Sequence, residues 1–267
     1  MNVEAIGELH HITPLRNLDS ILTSGIRSPA SLGFQYSSGM GDDSIRERRS
    51  IYRVPNGKFL NEHVYLYFNP RTPLMFRHVS EWRAQAKKNL VQGENAYFDL
   101  IVLRVSVELL KRRGVYVSCG NPSRSSPKFG SPDFMIEKLD FKSVYAREWS
   151  RNGTKNDRVH EQIQSEILVP DYVSCNHIMG IYVGHSAQIP MIKQLFPSIE
   201  VDVRPDFFFE RSVIVDPRNR TGDWAKSLVV NANGVRDVQY LLNRAWHVAL
   251  GESVVEHPDA TDDDVER

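Results

Sequence analysis

The amino-acid sequence predicts one α+β domain to about residue 210, followed by a C-terminal extension. Three observations support this fold class. The chain has 267 residues and a hydrophobic content of 41%, which is enough to build a proper core. Short apolar runs typical of strands recur along it, with helical patterns between them. These runs do not alternate regularly with helices, as a parallel α/β sheet would require.

The N-terminal part contains the clearest predicted helix. Residues 17–22 have apolar side chains at helical spacing, and Gly25 follows as a stop. Residues 27–50 lose periodicity and collect Ser, Gly, Pro and charge, which predicts a long irregular loop of the kind that is usually functional. Residues 64–68 are β-branched or aromatic apart from Leu66 and end at Asn69-Pro70, which predicts a strand.

The rest of the chain is predicted from apolar periodicity and breaker residues. We expect helices at 79–90, 107–113, 134–145, 189–196 and 235–250, strands at 98–105, 115–117, 166–169, 178–183 and 199–203, and irregular segments at 120–133 and 147–164.

The charge distribution is asymmetric although the formal net charge is zero. From Glu252 onward there are seven acidic residues and one basic residue, Arg267, which leaves 32 bases against 26 acids in the body. A mildly basic body permits a polyanionic partner without requiring one. We expect the acidic tail to be a disordered, solubilising end, with shielding of a basic groove as the alternative.

Several classes of protein are disfavoured by what the sequence lacks. No run approaches the length of a membrane span, and the first twenty residues lack the basic start and apolar core of a signal peptide. Two cysteines are too few for a disulfide scaffold. Common nucleotide, hydrolase and metalloprotease motifs are missing. We therefore expect a cytoplasmic protein without membrane association.

A glutamate precedes the apolar run at 167–169. Strict alternation would place Gln162, Gln164 and Glu166 on one face of an extended strand. A carboxylate entering so apolar a strand would be costly if it were buried without a partner. Two interpretations remain open: a solvent-facing glutamate on an edge strand, or a carboxylate that lines a cleft.

Basic residues are concentrated in two places. Arg46, Arg48 and Arg49 lie within four positions, which indicates either a solvated face or a phosphate clamp. Between residues 104 and 158, Arg and Lys are mixed with aromatic residues such as Trp149, a pattern that suits single-stranded nucleic acid. The adjacent His10 and His11 would point to opposite faces of a strand, so they make a poor metal site.

Six pieces of the sequence, in order, resemble motifs of the DarT family, toxin-type DNA ADP-ribosyltransferases. The pieces are 11–13 with 17–25, the isoleucine-arginine element 45–49, the aromatic strand and proline-arginine-proline turn 65–76, Gly120-Asn121, the strand 165–170 and the segment 203–209. The resemblance covers residues 9–209. It departs from the family at Pro14, where a second histidine is common, at His10, and in the aromatic cluster 207–209.

The resemblance implies an ADP-ribosyltransferase-like fold, with a split mixed β core and an NAD cleft. NAD would be the co-substrate and no metal would be needed. Segment 33–51 would lie over NAD, and segment 119–166 would contain the loop that recognises the acceptor. The residues that the resemblance assigns to NAD binding are His11, Ile12, Thr13, Asn17, Ser20, Ser28 and Arg49.

The resemblance also implies a reaction. Glu166 would stabilise the positive charge that develops on the ribose, assisted by Arg49, or by Arg48 if the alignment slips by one residue. The acceptor would be thymine or guanine in single-stranded DNA, and a macrodomain-type antitoxin would reverse the modification. The residues expected to contact DNA are Arg71, Arg147, Arg151 and Lys155. The alternatives are an RNA-directed transferase of the same fold, such as an RNA 2′-phosphotransferase, and an inactive nucleic-acid-binding module.

Overall fold

The structure is a computed structural model that describes residues 6–32, 43–91, 100–124, 127–151, 154–184, 186 and 188–209. The chain divides into two units. The first comprises Met1–Pro73 and Ile101–Gly180, and the second comprises Leu74–Leu100 and Ile181–Arg267. The predicted helix at 235–250, the acidic tail and the boundary at residue 210 lie at or beyond the end of the described residues.

Twelve strands are present in the described part of the chain. They are Leu9–Pro14 (β1), Ile26–Arg27 (β2), His63–Tyr67 (β3), Leu100–Val105 (β4), Tyr116–Cys119 (β5), Lys128–Gly130 (β6), Ser150–Arg151 (β7), Thr154–Lys155 (β8), Glu166–Pro170 (β9), Tyr172–Val173 (β10), Ile178–Val183 (β11) and Val201–Val203 (β12). The α-helices in the same ranges are Leu18–Ser24 (α1), Pro29–Leu32 (α2), Asp43–Ile51 (α3), Pro73–Val91 (α4), Pro132–Lys138 (α5), Phe141–Val144 (α6), Asp157–Gln162 (α7) and Gln188–Leu195 (α8).

The main sheet of the first unit has the strand order β4-β1-β3-β9-β5-β6. Strand β9 pairs antiparallel with β3 on one side and with β5 on the other. Glu166 therefore begins an interior strand. The interpretation of Glu166 as a solvent-facing residue on an edge strand is wrong, because both edges of β9 are paired.

The core of this unit follows from continuous apolar runs in its interior strands. Ile167, Leu168 and Val169 of β9 have no exposed surface, and Ile101 to Leu103 of β4 are equally buried. Strands with both faces covered have continuous apolar runs instead of alternation. Each such side chain contributes about 1.5–3 kcal/mol on burial, so the strand that carries Glu166 is strongly fixed.

The predicted loop at 27–50 contains regular structure at both ends. Residues 43–51 form α3, and residues 29–32 form a single helical turn. The predicted loop is therefore wrong for these residues, while 33–42 lie outside the described ranges. Arg and Glu are good helix formers, but the charged composition of α3 concealed its periodicity.

The segment between β5 and β9 is more ordered than predicted. The predicted helix at 134–145 is two helices, since α5 begins at Pro132 and Asp140 caps a separate helix, α6, by accepting from the Ser143 N–H. The supposedly irregular stretches contain β6, the hairpin β7–β8 and α7. Gln162 ends α7, so the alternation expected from Gln162 through Glu166 is wrong.

In the second unit, the residues Ile181–Val183 of β11 pair in parallel with β12. The Arg204 N–H donates to the Val183 carbonyl over 2.9 Å, and Phe208 packs against Gly184. The predicted strand at 178–183 is confirmed, and the predicted helix at 189–196 is present as α8. Within the described ranges, no helix is both long enough and apolar enough to cross a membrane.

Candidate active site

The candidate site is centred on Glu166, the first residue of β9. Its backbone N–H donates to Ser118 Oγ over 3.0 Å, and that hydroxyl donates to the Gly120 carbonyl over 2.7 Å. On the other side, Tyr67 of β3 is the residue directly opposite Glu166. The backbone of Glu166 is thus held between two strands, and the residue is only 2% exposed.

The two carboxylate oxygens of Glu166 have different surroundings. Oε1 accepts a hydrogen bond from Arg49 Nη2 at 2.7 Å and one from the Tyr67 hydroxyl at 3.4 Å. Oε2 is buried and has no hydrogen-bond partner among the described residues. A buried polar atom without a partner costs about 1–3 kcal/mol and calls for an explanation, such as a catalytic role. Oε2 is therefore the atom of Glu166 left to meet a ligand.

The electrostatics of the pair follow from its burial. Burial raises the pKa of Glu166, and the nearby guanidinium of Arg49 and hydroxyl of Tyr67 oppose that rise without cancelling it. Burial by itself lowers the pKa of Arg49, but the attraction of the Glu166 carboxylate outweighs it and the pKa is raised. Arg49 therefore keeps its proton, and its positive charge favours the ionised form of Glu166 against the effect of burial.

Arg49 lies near the end of α3 and is held on three sides. Besides Glu166, it donates from Nε to Ser123 Oγ over 3.0 Å, and its guanidinium carbon lies 3.9 Å from the ring centroid of Tyr65. Arg48, the next residue on the helix, is exposed. Of the two arginines proposed from sequence, the structure brings Arg49 to Glu166 and leaves Arg48 on the surface.

His11 lies on β1, next to β3. Its Nδ1 donates to the Tyr65 carbonyl over 3.0 Å, which leaves Nε2 as the acceptor. Burial lowers the pKa of His11, although the bond to the Tyr65 carbonyl opposes this, so the ring is neutral near pH 7. Tyr65 thus contacts both His11 and Arg49. His10 has other partners, the Phe68 carbonyl and Glu8.

The remaining residues proposed for NAD binding lie in three places. Ile12 and Thr13 are buried beyond His11 on β1, and Asn17 donates to Thr13 Oγ1 over 3.0 Å. Ser20 is exposed on α1. Ser28 is buried and its N–H donates to the Asp171 carbonyl. Because Asp171 follows the last residue of β9, Ser28 lies roughly 16 Å along the strand from Glu166.

A tight turn after β5 brings Ser123 to Arg49. Gly120 has φ +82°, and a Cβ there would lie 2.8 Å from Glu161 Cγ, so this position requires glycine. Asn121 Oδ1 accepts from the Ser123 N–H over 2.9 Å. Ser123 is 3% exposed. The glycine-asparagine pair noted in the sequence therefore shapes the turn that supports Arg49.

The residues proposed for DNA contact lie around the β7–β8 hairpin. Arg71 donates from Nε and Nη2 to the Arg147 carbonyl over 3.2 and 2.7 Å. Asn69 donates to the carbonyls of Val144 and Ala146. Arg147 is exposed, and so is Lys155, which pairs with Asp157 at 3.4 Å. Arg151 lies on β7 opposite Thr154.

Four residues of the site were missed by the sequence interpretation. Tyr65 and Tyr67 belong to a strand that was predicted, and their alternation on β3 was the available signal for their role. Ser118 and Ser123 gave no local signal, because a serine acquires its partner only through the fold. In the described part of the chain, no group of three His, Cys, Asp or Glu residues is placed to hold a metal ion.

Solved structures show which fold this chain has. DarTG of Thermosipho africanus in complex with ADP-ribose is similar with a TM-score of 0.66 and 24% identity, over 91% of this chain and 68% of that one. DarT of Thermus sp. 2.9 in complex with ADP-ribosylated single-stranded DNA is similar with a TM-score of 0.58 and 20% identity, over 78% and 99%. The predicted fold class is confirmed: the chain has the DarT type of ADP-ribosyltransferase fold.

The sequence comparisons define the family. A family model described as "ssDNA thymidine ADP-ribosyltransferase, DarT" matches residues 10–209. The chain therefore belongs to the DarT family. A DNA ADP-ribosyl transferase–DNA ADP-ribosyl glycohydrolase fusion protein of Thermosipho africanus is 29% identical over 206 residues. That match covers 76% of this chain and 49% of the relative, so the chain spans about half the length of that curated relative.

Proposed function

We propose that this protein transfers ADP-ribose from NAD to a base of single-stranded DNA. The observation that carries the proposal is the buried pair of Arg49 and Glu166, in which Glu166 Oε2 has no partner among the described residues. Family membership supports the same activity. The proposed transferase domain is residues 1–210, with 211–267 as an extension.

The residues of the site fit NAD. Arg49 is a buried permanent cation suited to an anionic pyrophosphate, His11 Nε2 is an acceptor for a hydroxyl, and Glu166 Oε2 is a second acceptor. When bound, NAD supplies the ADP-ribose group, and nicotinamide is the leaving group. The hydrogen bond from Asn17 to Thr13 Oγ1 holds the end of β1, the strand that carries His11.

Glu166 is proposed to act on the transition state. Cleavage of the bond between nicotinamide and ribose builds positive charge on the sugar, and a fixed carboxylate facing that charge stabilises it more than it stabilises the ground state. Glu166 meets this requirement because its backbone is held by Ser118 and its Oε1 by Arg49. Because the pKa of Arg49 is raised, its guanidinium stays protonated. It therefore acts on Glu166 through its positive charge and not as a base.

The pH dependence of transfer should reflect two shifted groups. Burial raises the pKa of Glu166 above its ordinary value and lowers the pKa of His11 below its own. Each is active in its deprotonated form. The logarithm of kcat/KM for NAD should therefore fall on the acid side, with a slope that approaches two where both groups become protonated. In His11→Gln the limiting slope should fall to one, whereas an unchanged slope of two would contradict the assignment of His11.

Single-stranded DNA is the proposed acceptor because a free strand presents its base edges, which a duplex hides. The exposed basic residues around the β7–β8 hairpin provide contacts for phosphates. The direct test is incubation with NAD and single-stranded thymine, guanine and mixed DNA oligomers, with RNA and duplex arms, read by intact mass. Modification of RNA alone would favour the RNA-directed alternative, and no modification of any arm would favour the inactive module.

The hairpin should contribute affinity for DNA and not for NAD. Binding should weaken steeply as salt rises, because neutralised phosphates release counterions. Lys155→Ala and Arg151→Ala are each expected to raise the Kd for a single-stranded oligomer about 3- to 10-fold and to lower the salt slope by about one. Lys111→Ala is the matched control, since Lys111 is likewise an exposed lysine paired with a nearby acid, Glu108, at 2.9 Å. A loss of DNA affinity in the control as large as in Lys155→Ala would contradict a role for the hairpin.

We also propose a partner protein that removes ADP-ribose from the modified DNA. The similar fusion protein from Thermosipho africanus carries a DNA ADP-ribosyl glycohydrolase in its name. We infer a toxin–antitoxin pair in the cytoplasm, with a macrodomain-type glycohydrolase as the antitoxin. Incubation of the modified oligomer with such a glycohydrolase should restore its original mass.

A further inference from the structure

We propose that Ser123 is a positioning residue that sets the orientation of the Arg49 guanidinium. The inference rests on the proposed function and concerns the same site. Ser123 Oγ accepts a hydrogen bond from Arg49 Nε at 3.0 Å, and both residues are buried.

The geometry of the guanidinium explains why this contact matters. Nε and Nη2 lie on one edge of the planar group, so Ser123 and Glu166 occupy that edge together. Nη1 lies away from that edge and makes no hydrogen bond to the described residues. With Nε fixed by Ser123, Nη2 is directed at Glu166 Oε1 and Nη1 is left for an anionic ligand.

The ring of Tyr65 limits movement of the Arg49 guanidinium toward that ring. Its centroid lies 3.9 Å from the Arg49 guanidinium carbon, and its hydroxyl is anchored on the Leu60 carbonyl at 2.9 Å. A stacked plane can still rotate over the ring face. The bond to Ser123 opposes that rotation, so the ring and the serine together define one orientation.

The turn that carries Ser123 is built to hold it in place. The Gly120 N–H donates to Ser165 Oγ over 3.0 Å, which ties the start of the turn to the residue before Glu166. Asn121 Oδ1 then accepts from the Ser123 backbone N–H. Ser123 is thus connected by short links to both members of the pair, Arg49 through its side chain and Glu166 through the turn.

The primary test measures the hydrogen bond itself, independently of activity. In ¹⁵N-labelled protein, the Arg49 Nε–H resonance is identified by its loss in Arg49→Lys. We expect slow exchange with solvent in the wild type, exchange at least about 10-fold faster in Ser123→Ala, and protection retained in Ser123→Thr, which keeps the hydroxyl. Unchanged exchange in a folded Ser123→Ala protein would overturn the proposal.

Steady-state kinetics then separates positioning from general stability. Ser123→Ala should lower kcat for transfer about 10-fold, the scale of one hydrogen bond to a charged group, with a smaller change in KM for NAD. Ser50→Ala is the matched control, because Ser50 is the neighbour of Arg49 on α3 and its hydroxyl donates to the Glu47 carbonyl instead. An equal loss in Ser50→Ala would overturn the proposal.

The result remains informative if the proposed function fails. If no acceptor is modified by the wild type, the exchange measurement still decides whether Ser123 orients Arg49. If Ser123→Thr does not fold because of the added methyl group, the contrast between Ser123→Ala and Ser50→Ala decides the same question. Altered exchange together with unaltered kcat would show that Ser123 orients Arg49 without any effect on catalysis, and would overturn its assignment as a positioning residue for transfer.

Discussion

Replacement of Glu166 by glutamine is expected to lower the rate of transfer about 100- to 1,000-fold, while NAD binding changes little. Glutamine keeps the volume of the side chain and an oxygen that can accept from Arg49 Nη2, but it removes the negative charge that we propose faces the ribose in the transition state. Losses of this size are typical when one fixed electrostatic group is removed from an active site. Single-turnover nicotinamide release and NAD titration measure the two effects separately.

Alanine at the same position is expected to behave differently. Glu166 is buried and paired with Arg49, and alanine removes both its charge and the oxygen that accepts from Arg49 Nη2. Breaking a buried ion pair from one side typically costs about 3–5 kcal/mol. Glutamine removes the same charge but keeps the accepting oxygen and the side-chain volume, so thermal unfolding should show Glu166→Ala below Glu166→Gln. Wild-type activity in Glu166→Gln would remove Glu166 from the mechanism.

Replacement of Arg49 by lysine is expected to lower kcat/KM for NAD about 100-fold. Lysine retains a positive charge near Glu166, but it has no Nε–H to donate to Ser123 and no planar group to lie over the Tyr65 ring. Two of the three contacts of Arg49 are lost. The proposed contact with the pyrophosphate of NAD also loses its planar hydrogen-bond donor. Steady-state kinetics over a range of NAD concentrations measures the loss.

Arg48→Lys is the matched variant for this prediction. It makes the same chemical change one residue away, at an exposed position of the same helix. We expect it to stay within about 3-fold of the wild type, as surface substitutions usually do. The reverse result, a large loss at Arg48 and a small one at Arg49, would mean that the arginine beside Glu166 is not the functional one.

The strand that carries Glu166 was predictable because its apolar residues are consecutive and local. Its place inside the sheet was not, because β3 lies about one hundred residues earlier and the pairing depends on contacts that no local pattern encodes. A carboxylate at the start of so apolar a strand indicated a functional site. Only the fold shows that the carboxylate has an arginine beside it.

The choice between Arg48 and Arg49 illustrates the same limit. Adjacent residues on a helix point about 100° apart, so one of them faces the core and the other does not. The charged composition of α3 gave no apolar stripe from which to deduce the inward direction. The contact with Ser123 was equally hidden, since the two residues are separated by 74 positions in the chain.

The turn after β3 holds residues 144–147, which lead into the β7–β8 hairpin, independently of the Arg49–Glu166 pair. Asn69 and Arg71 bind the backbone carbonyls at 144, 146 and 147, and none of these contacts involves Arg49, Ser123 or Glu166. Because carbonyls are common to all residues, the side chains of the following hairpin are free to vary without loosening its base. Under the proposed function, the hairpin could therefore change to suit a different base or sequence context without disturbing Arg49 and Glu166.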